Sequence, residues 1–202
     1  MLLKLHSEHL SDQKIKTVVE VLQKGGVIVV PTDTVYAFAC DLMNTEAVEK
    51  LTKLSGKKRP DFSFICNDIS QAMHYTASLD QPVFREMKRL FPGPYTIIVK
   101  ASLQVTRQFG TNKKTVGIRI PDNDITRKIA EGLGNPLIST SIHDEDTILD
   151  YMTDPRDMEA EFHSAVDLIV DGGTGGNRPS TIIDYTGKKP KLIRHGAGEW
   201  DE

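Results

Sequence analysis

Gly25-Gly26-Val27-Ile28-Val29-Val30-Pro31-Thr32-Asp33-Thr34-Val35-Tyr36 is the stretch on which the fold turns. Its β-branched run Val27 to Val30 is too short for a helix and apolar on both faces, as a strand buried on both sides of a sheet must be. Pro31 fixes the exit. Immediately upstream, Ile15, Val18, Val19 and Leu22 recur at helical spacing behind Ser11, a side chain suited to an N-cap, until Gly25-Gly26 stop the pattern. A helix leading directly into a doubly buried strand is the signature of an α/β protein.

Working outward, the alternation continues. Thr45 to Leu54 places Ala47, Val48, Leu51 and Leu54 on one helical face, and Ser63 to Cys66 reads as a short strand. Two short helices are expected between Ile69 and Leu90, separated by Asp80 to Pro82, before Phe91-Pro92-Gly93-Pro94 breaks the pattern. Strands are expected at Tyr95 to Val99, Val116 to Ile120, Leu137 to Ile142, Val166 to Val170, Thr181 to Asp184 and Lys191 to Arg194, with helices over Ile125 to Leu133 and around Arg156 to His163. The order implies one twisted, mixed sheet with flanking helices, in a single domain over residues 1–202 with its core at about 10–196.

Composition narrows the function classes. The chain has 202 residues, 39% hydrophobic and 26% charged, and no apolar run long enough to span a bilayer. Lys4, His6, Glu8 and His9 interrupt the leucines of the first ten residues, which lack the pattern of a secretory signal, so a cytoplasmic location and no membrane partner are expected. Cys40 and Cys66 form no CxxC pair and read as buried free thiols, and no metal-ligand spacing is present. A net charge of −3 speaks against a surface that is basic all round, so any anion site must be local.

Neither a P-loop nor a dinucleotide-binding glycine triplet occurs, and there is no nucleophile elbow or zincin helix. The informative polar residues stand at strand ends, where open α/β sheets gather ligands. Thr32, Thr34 and Tyr36 follow the first strong strand. Lys57 and Arg59 offer a point charge and a planar fork, a pair suited to phosphate oxygens. Ser139, Thr140 and Ser141 end an apolar strand, followed by His143. Arg119 and Arg194 each interrupt an apolar strand, and an arginine so placed is either paired with a carboxylate or awaits an anion.

At these residues the chain resembles the YrdC/YciO family, and within it the YciO-like branch. The resemblance runs from about Gly25 to Gly196 and rests on the opening stretch together with Phe91-Pro92-Gly93-Pro94-Tyr95-Thr96, Gly117-Ile118-Arg119-Ile120-Pro121, Ser180-Thr181-Ile182-Ile183-Asp184 and Leu192-Ile193-Arg194-His195-Gly196. It implies a YrdC-like fold around a basic central cavity and the synthesis of L-threonylcarbamoyladenylate and pyrophosphate from L-threonine, bicarbonate and ATP, with Mg2+ accompanying the ATP. The product serves threonylcarbamoylation of tRNA adenosine-37 with partner proteins. The resemblance assigns Thr32, Thr34, Tyr36, Arg119, Ser139 and Ser180 to threonine. It assigns Thr115, Ser141, His143 and Arg194 to the nucleotide, with Ser139 also running along it, and makes Lys57 and Arg59 both catalytic and nucleotide-binding.

Two departures stand out. Ser141-Ile142-His143 carries histidine where the synthases have Ser-x-Asn, and Tyr36-Ala37-Phe38 replaces a common Tyr-Gly-Leu. Three readings follow: a threonylcarbamoyl-AMP synthase, a translation-associated protein that binds double-stranded RNA or tRNA without turnover, and a regulatory nucleotide binder.

Overall fold

A computed structural model describes residues 1–5, 10–56, 62–108, 114–142 and 151–201. Its elements are β1 (Leu2–Lys4), α1 (Asp12–Gln23), β2 (Val27–Val30), β3 (Ala37–Asp41), α2 (Thr45–Leu54), β4 (Ser63–Ile65), α3 (Ile69–Met73), α4 (Gln81–Leu90), β5 (Tyr95–Lys100), α5 (Leu103–Gln108), β6 (Thr115–Arg119), α6 (Asp124–Leu133), β7 (Leu137–Ser141), α7 (Pro155–Phe162), β8 (Leu168–Asp171), β9 (Thr181–Asp184) and β10 (Lys191–Arg194).

Local chemistry sets the helix starts. Ser11, Asn44, Asp68, Asn123 and Asp154 each accept a backbone N–H of the helix that follows, satisfying a donor the helix itself leaves orphaned. Pro82 lies in the first turn of α4, where its missing N–H costs nothing, and does not separate α4 from α3 as the sequence pattern implied.

All ten strands form one mixed sheet in the order β1-β8-β2-β3-β7-β4-β6-β5-β9-β10. β2 is an interior strand, third from one edge and buried throughout, parallel to β8 and antiparallel to β3. Strand alternation divides the sheet's two faces. On one, Val29, Phe38, Phe64, Ile138, Ile118, Ile97 and Ile183 form a continuous apolar layer against Ala47 and Leu51 of α2, Met87 of α4 and Met158 of α7. On the other, Ile28, Val30, Ala37, Ala39, Leu137 and Ile65 pack against Val18, Val19 and Leu22 of α1 and Ile125 and Ile129 of α6. Each such buried aliphatic side chain contributes about 1.5–3 kcal/mol.

That second layer stops part-way across. Ala39 pairs with Ser139, Ser139 with Ser63, and Ser63 with Gly117, so the same face turns from alanine to hydroxyls within two strands. Thr115, Gly117 and Arg119 of β6, Thr96 of β5 and Arg194 of β10 extend this polar half. The candidate site lies on it.

Candidate functional site

Residues 31–36 leave the end of β2 in a turn held by hydroxyls. The Thr32 hydroxyl donates to the Val35 carbonyl at 2.7 Å and accepts the Thr34 N–H at 3.1 Å, while the two threonine oxygens lie 3.0 Å apart. Arg119 reaches this turn from the end of β6. Its Nη2 stands 2.9 Å from Thr34 Oγ1, 3.1 Å from Asp33 Oδ1 and 3.4 Å from Thr32 Oγ1. Nη2 has two hydrogens, and the two short contacts use them. Thr34 then gives its own hydrogen to the remaining lone pair of Thr32, and every hydroxyl is satisfied. Left over is Arg119 Nε, buried and without a hydrogen-bond partner among the described residues.

A buried guanidinium is costly unless compensated. The side chains of Arg119 and Asp33 are 5% and 9% exposed, and Asp33 is the compensating carboxylate. Burial pulls the Arg119 pKa below the ordinary arginine range, Asp33 opposes that shift, and the positive charge of Arg194 adds to it. Two like charges within reach of one another, one with an orphaned donor, form an arrangement that a bound anion would complete.

Arg194 is held from the other side. Its Nε and Nη2 donate to the Ser180 carbonyl at 3.1 and 2.9 Å, and Nη2 stands 3.3 Å from the Ser180 hydroxyl. Ser180 Oγ in turn lies 2.8 Å from Thr96 Oγ1, both side chains being buried. Burial lowers the Arg194 pKa, while proximity to the Tyr151 phenol raises it. Gly117 lies on the same face as Arg119, two residues before it on β6, and is closely packed: a Cβ there would sit 3.1 Å from Thr96 Cγ2 and 3.4 Å from Ser63 Oγ.

Of the other expected residues, Ser139 is buried and donates to the Ser63 carbonyl at 3.2 Å, Ser141 is half-buried one pleat further along β7, and Thr115 is exposed at the start of β6. Tyr36 is directed elsewhere. Its hydroxyl donates to the Gly173 carbonyl at 2.7 Å and accepts the Gly172 N–H at 3.0 Å, and burial pushes its pKa up to about 12. Tyr36 thus ties the 31–36 turn to the loop after β8. That loop closes on the turn at Gly176, where a Cβ would lie 2.1 Å from the Thr34 carbonyl oxygen, so only glycine fits. Lys57, Arg59 and His143 lie outside the described residues.

Asp33 and Tyr151 escaped the sequence reading. An acid flanked by two threonines was a legible signal for the first, while Tyr151 stands beyond residues 143–150 and nothing local marks it. Among the described residues no group of three or more His, Cys, Asp or Glu side chains is placed to hold a metal ion. Cys40 and Cys66 are buried free thiols, and burial raises the pKa of both. A separate groove of about 390 Å³ runs between α4 and the β9–β10 turn, lined by Glu86, Arg89, Tyr185 and Trp200. Three of its polar groups answer one another, Arg89 bonding Glu86 at 2.7 Å and the Tyr185 hydroxyl standing 3.5 Å from the same carboxylate. The arginine-bearing half-face, which has an unanswered donor, is therefore the better candidate.

The family model Sua5_yciO_yrdC, described as "Telomere recombination", matches residues 20–196. The chain belongs to the Sua5/YciO/YrdC family. It is 36% identical to the uncharacterized protein YciO of Escherichia coli (strain K12) over 199 residues, 96% of this chain and 95% of that one. The crystal structure of E. coli YciO superposes with a TM-score of 0.89, covering 98% and 97% of the two chains at 34% identity. Identity to the threonylcarbamoyl-AMP synthase of Vibrio campbellii is 30% over 190 residues, 91% of this chain and 100% of that one. The structure of P. abyssi Sua5 complexed with L-threonine superposes with a TM-score of 0.85 at 25% identity, over 97% of this chain and 57% of the other.

Sua5/YciO/YrdC membership accounts for the α/β architecture anticipated from the sequence, and the likeness to YciO agrees with the branch indicated there. No helix among the described residues is long and apolar enough to cross a membrane.

Proposed function

We propose that the polar half of the sheet binds L-threonine beside an adenine nucleotide, and that the protein forms L-threonylcarbamoyladenylate and pyrophosphate from L-threonine, bicarbonate and ATP. The observation that carries this reading is the unpartnered, buried Nε of Arg119, on a guanidinium whose Nη2 meets the Thr34 hydroxyl and which lies within the field of Arg194. A carboxylate placed there takes the Nε–H, and a turn of the Thr34 hydroxyl supplies a second donor. The P. abyssi relative holds L-threonine on the same fold, which supports threonine as that carboxylate's owner.

The chemistry asks mainly for positioning. The threonine amine takes up bicarbonate with loss of water to give a carbamate. A carbamate oxygen then attacks the α-phosphorus of ATP, and the bond to the leaving pyrophosphate breaks. Two anions that repel in water must be held together, and fixed donors in a dry site do that without reorganising during the reaction. Arg119 and Thr34 orient the carboxylate, and Ser180, held by Arg194, borders the amino acid. Ser139, Ser141, Thr115 and Arg194 run along the nucleotide. Lys57, Arg59 and His143 join them on the strength of the family resemblance, with Lys57 and Arg59 as the catalytic pair on the phosphates. Tyr36 serves threonine indirectly, by fixing the turn. Magnesium travels with the ATP polyphosphate, whose charge it offsets. The adenylate would pass to partner proteins that modify tRNA adenosine-37.

His143, in place of the synthases' asparagine, favours a second reading: the same cationic face binding tRNA or double-stranded RNA without turnover. Incubating the protein with ATP, Mg2+, L-threonine and bicarbonate, and assaying threonylcarbamoyl-AMP by mass spectrometry beside a Lys57→Ala control, separates the two. Product that vanishes in the control supports the synthase. A folded, ATP-binding protein that makes none sinks it and leaves RNA binding, read as salt-sensitive affinity, against the regulatory nucleotide binder, which would show none.

A further inference from the structure

Asp33 spends both of its carboxylate oxygens. Oδ1 accepts Nη2 of Arg119 at 3.1 Å, and Oδ2 accepts the backbone N–H of Asp122 at 3.1 Å. The second bond ties the 31–36 turn to the segment just before α6, so the first oxygen is fixed in space. Every contact that Arg119 makes to the turn passes through the single nitrogen Nη2. Held at one corner, with both hydrogens of that corner engaged, the guanidinium can present Nε in one direction only.

We infer that Asp33 is a positioning residue, which clamps Arg119 between the 31–36 turn and the backbone of Asp122 so that the arginine's Nε faces the incoming carboxylate. This rests on the proposed threonine site and adds to it the group that sets its geometry. Asp33 does not itself meet the ligand. Its charge opposes ligand binding slightly, while the fixed direction of the donor favours it. The second effect outweighs the first, because a buried hydrogen-bond donor aimed away from its acceptor forfeits the whole interaction.

Asparagine has the shape of aspartate but one acceptor in place of two, so Asp33→Asn must turn an amide hydrogen toward either Arg119 or the Asp122 N–H. Asp122→Pro deletes the backbone donor and keeps the charge of Asp33, at the cost of the exposed Asp122 carboxylate that stands 3.7 Å from Arg127, and it guards against a folding defect in the first variant. Two readouts apply to both: L-threonine affinity by calorimetry, and the side-chain 15N–1H signals of Arg119, identified by their loss in Arg119→Lys. The clamp predicts threonine binding weakened at least about tenfold, with the Arg119 Nη signals merging as rotation is freed. Unchanged Arg119 signals, or freed signals with threonine affinity within about twofold of wild type, would overturn the inference. If the wild type binds no threonine while its Arg119 signals respond to Asp33→Asn, the threonine reading falls and the clamp stands.

Discussion

The positive charge of Arg194 reaches Arg119 although their strands, β10 and β6, are separated in the sheet by β9 and β5. Only side chains laid over the polar face bring two such cations together. Their repulsion is a standing cost, so function and stability pull in opposite directions at Arg194. Arg194→Gln keeps a donor for the Ser180 carbonyl and removes the charge. Thermal denaturation is expected to be unchanged or up to about 3 °C higher, for a gain of up to about 1 kcal/mol in a chain of this size. AMP and ATP should bind about tenfold more weakly by calorimetry.

Arg119→Lys should be far from conservative. Lysine places a compact ammonium where a planar fork meets Asp33 and Thr34 through Nη2, and the Nε donor disappears. L-threonine affinity should fall about 10- to 100-fold, in proportion to one or two lost charge-assisted hydrogen bonds. Arg119→Ala should in addition lower stability by about 3–5 kcal/mol, because it strands the buried Asp33 carboxylate, and urea unfolding would show it.

Gly176→Ala tests the closure of the loop after β8 on the 31–36 turn. A methyl 2.1 Å from the Thr34 carbonyl cannot be accommodated, so the loop must lift. Because much of it is exposed, the fold should survive with about 1–2 kcal/mol lost in urea unfolding, while threonine affinity drops with the displaced Thr34. Gly187→Ala, whose Cβ would meet nothing nearer than 3.5 Å, is the neutral control.

Tyr36 gives the protein an alkaline limit. Its folded pKa of about 12 lies above the ordinary value near 10, so between those values the folded state keeps a proton that the unfolded state releases. The stability it contributes is complete below pH 10 and drains away as pH rises through 12, on the order of 2 kcal/mol in all. Tyr36→Phe should be less stable at neutral pH by about 1–2 kcal/mol, having lost its bonds to Gly172 and Gly173, yet show a shallower decline from pH 9 to 12. Tyr75 and Tyr185, and the buried thiols of Cys40 and Cys66, also raised by burial, keep that slope from vanishing.

Where the sequence spoke clearly, a short segment carried its own reason for being what it is. α1 and β2 were legible because helical spacing gave way abruptly to a β-branched run. Ala37-Phe38-Ala39-Cys40-Asp41 gave no such sign, yet it forms β3 in the middle of the sheet. Its small side chains leave room for α1 and α6, a demand made by tertiary packing and not by β-propensity. β1 and α5 were missed as well, being too short for any period to emerge. Within the candidate site, an arginine interrupting an apolar strand was the signal that singled out Arg119 and Arg194. That Arg119 would meet Asp33, and that Tyr36 would be spent on Gly172 and Gly173, depended on contacts between distant segments.

The order of the chain has a consequence for biosynthesis. The turn at Thr32 and Thr34 leaves the ribosome early, Arg119 well after it, and Arg194 last of all, on the edge strand β10. A nascent chain that has already paired β2 with β3 and β4 with β6 still has only one of the two arginines. The arginine-bearing face proposed as the anion site is therefore completed only when β10 joins the sheet, and a ribosome-bound intermediate can have most of the described strands paired while that face is still incomplete.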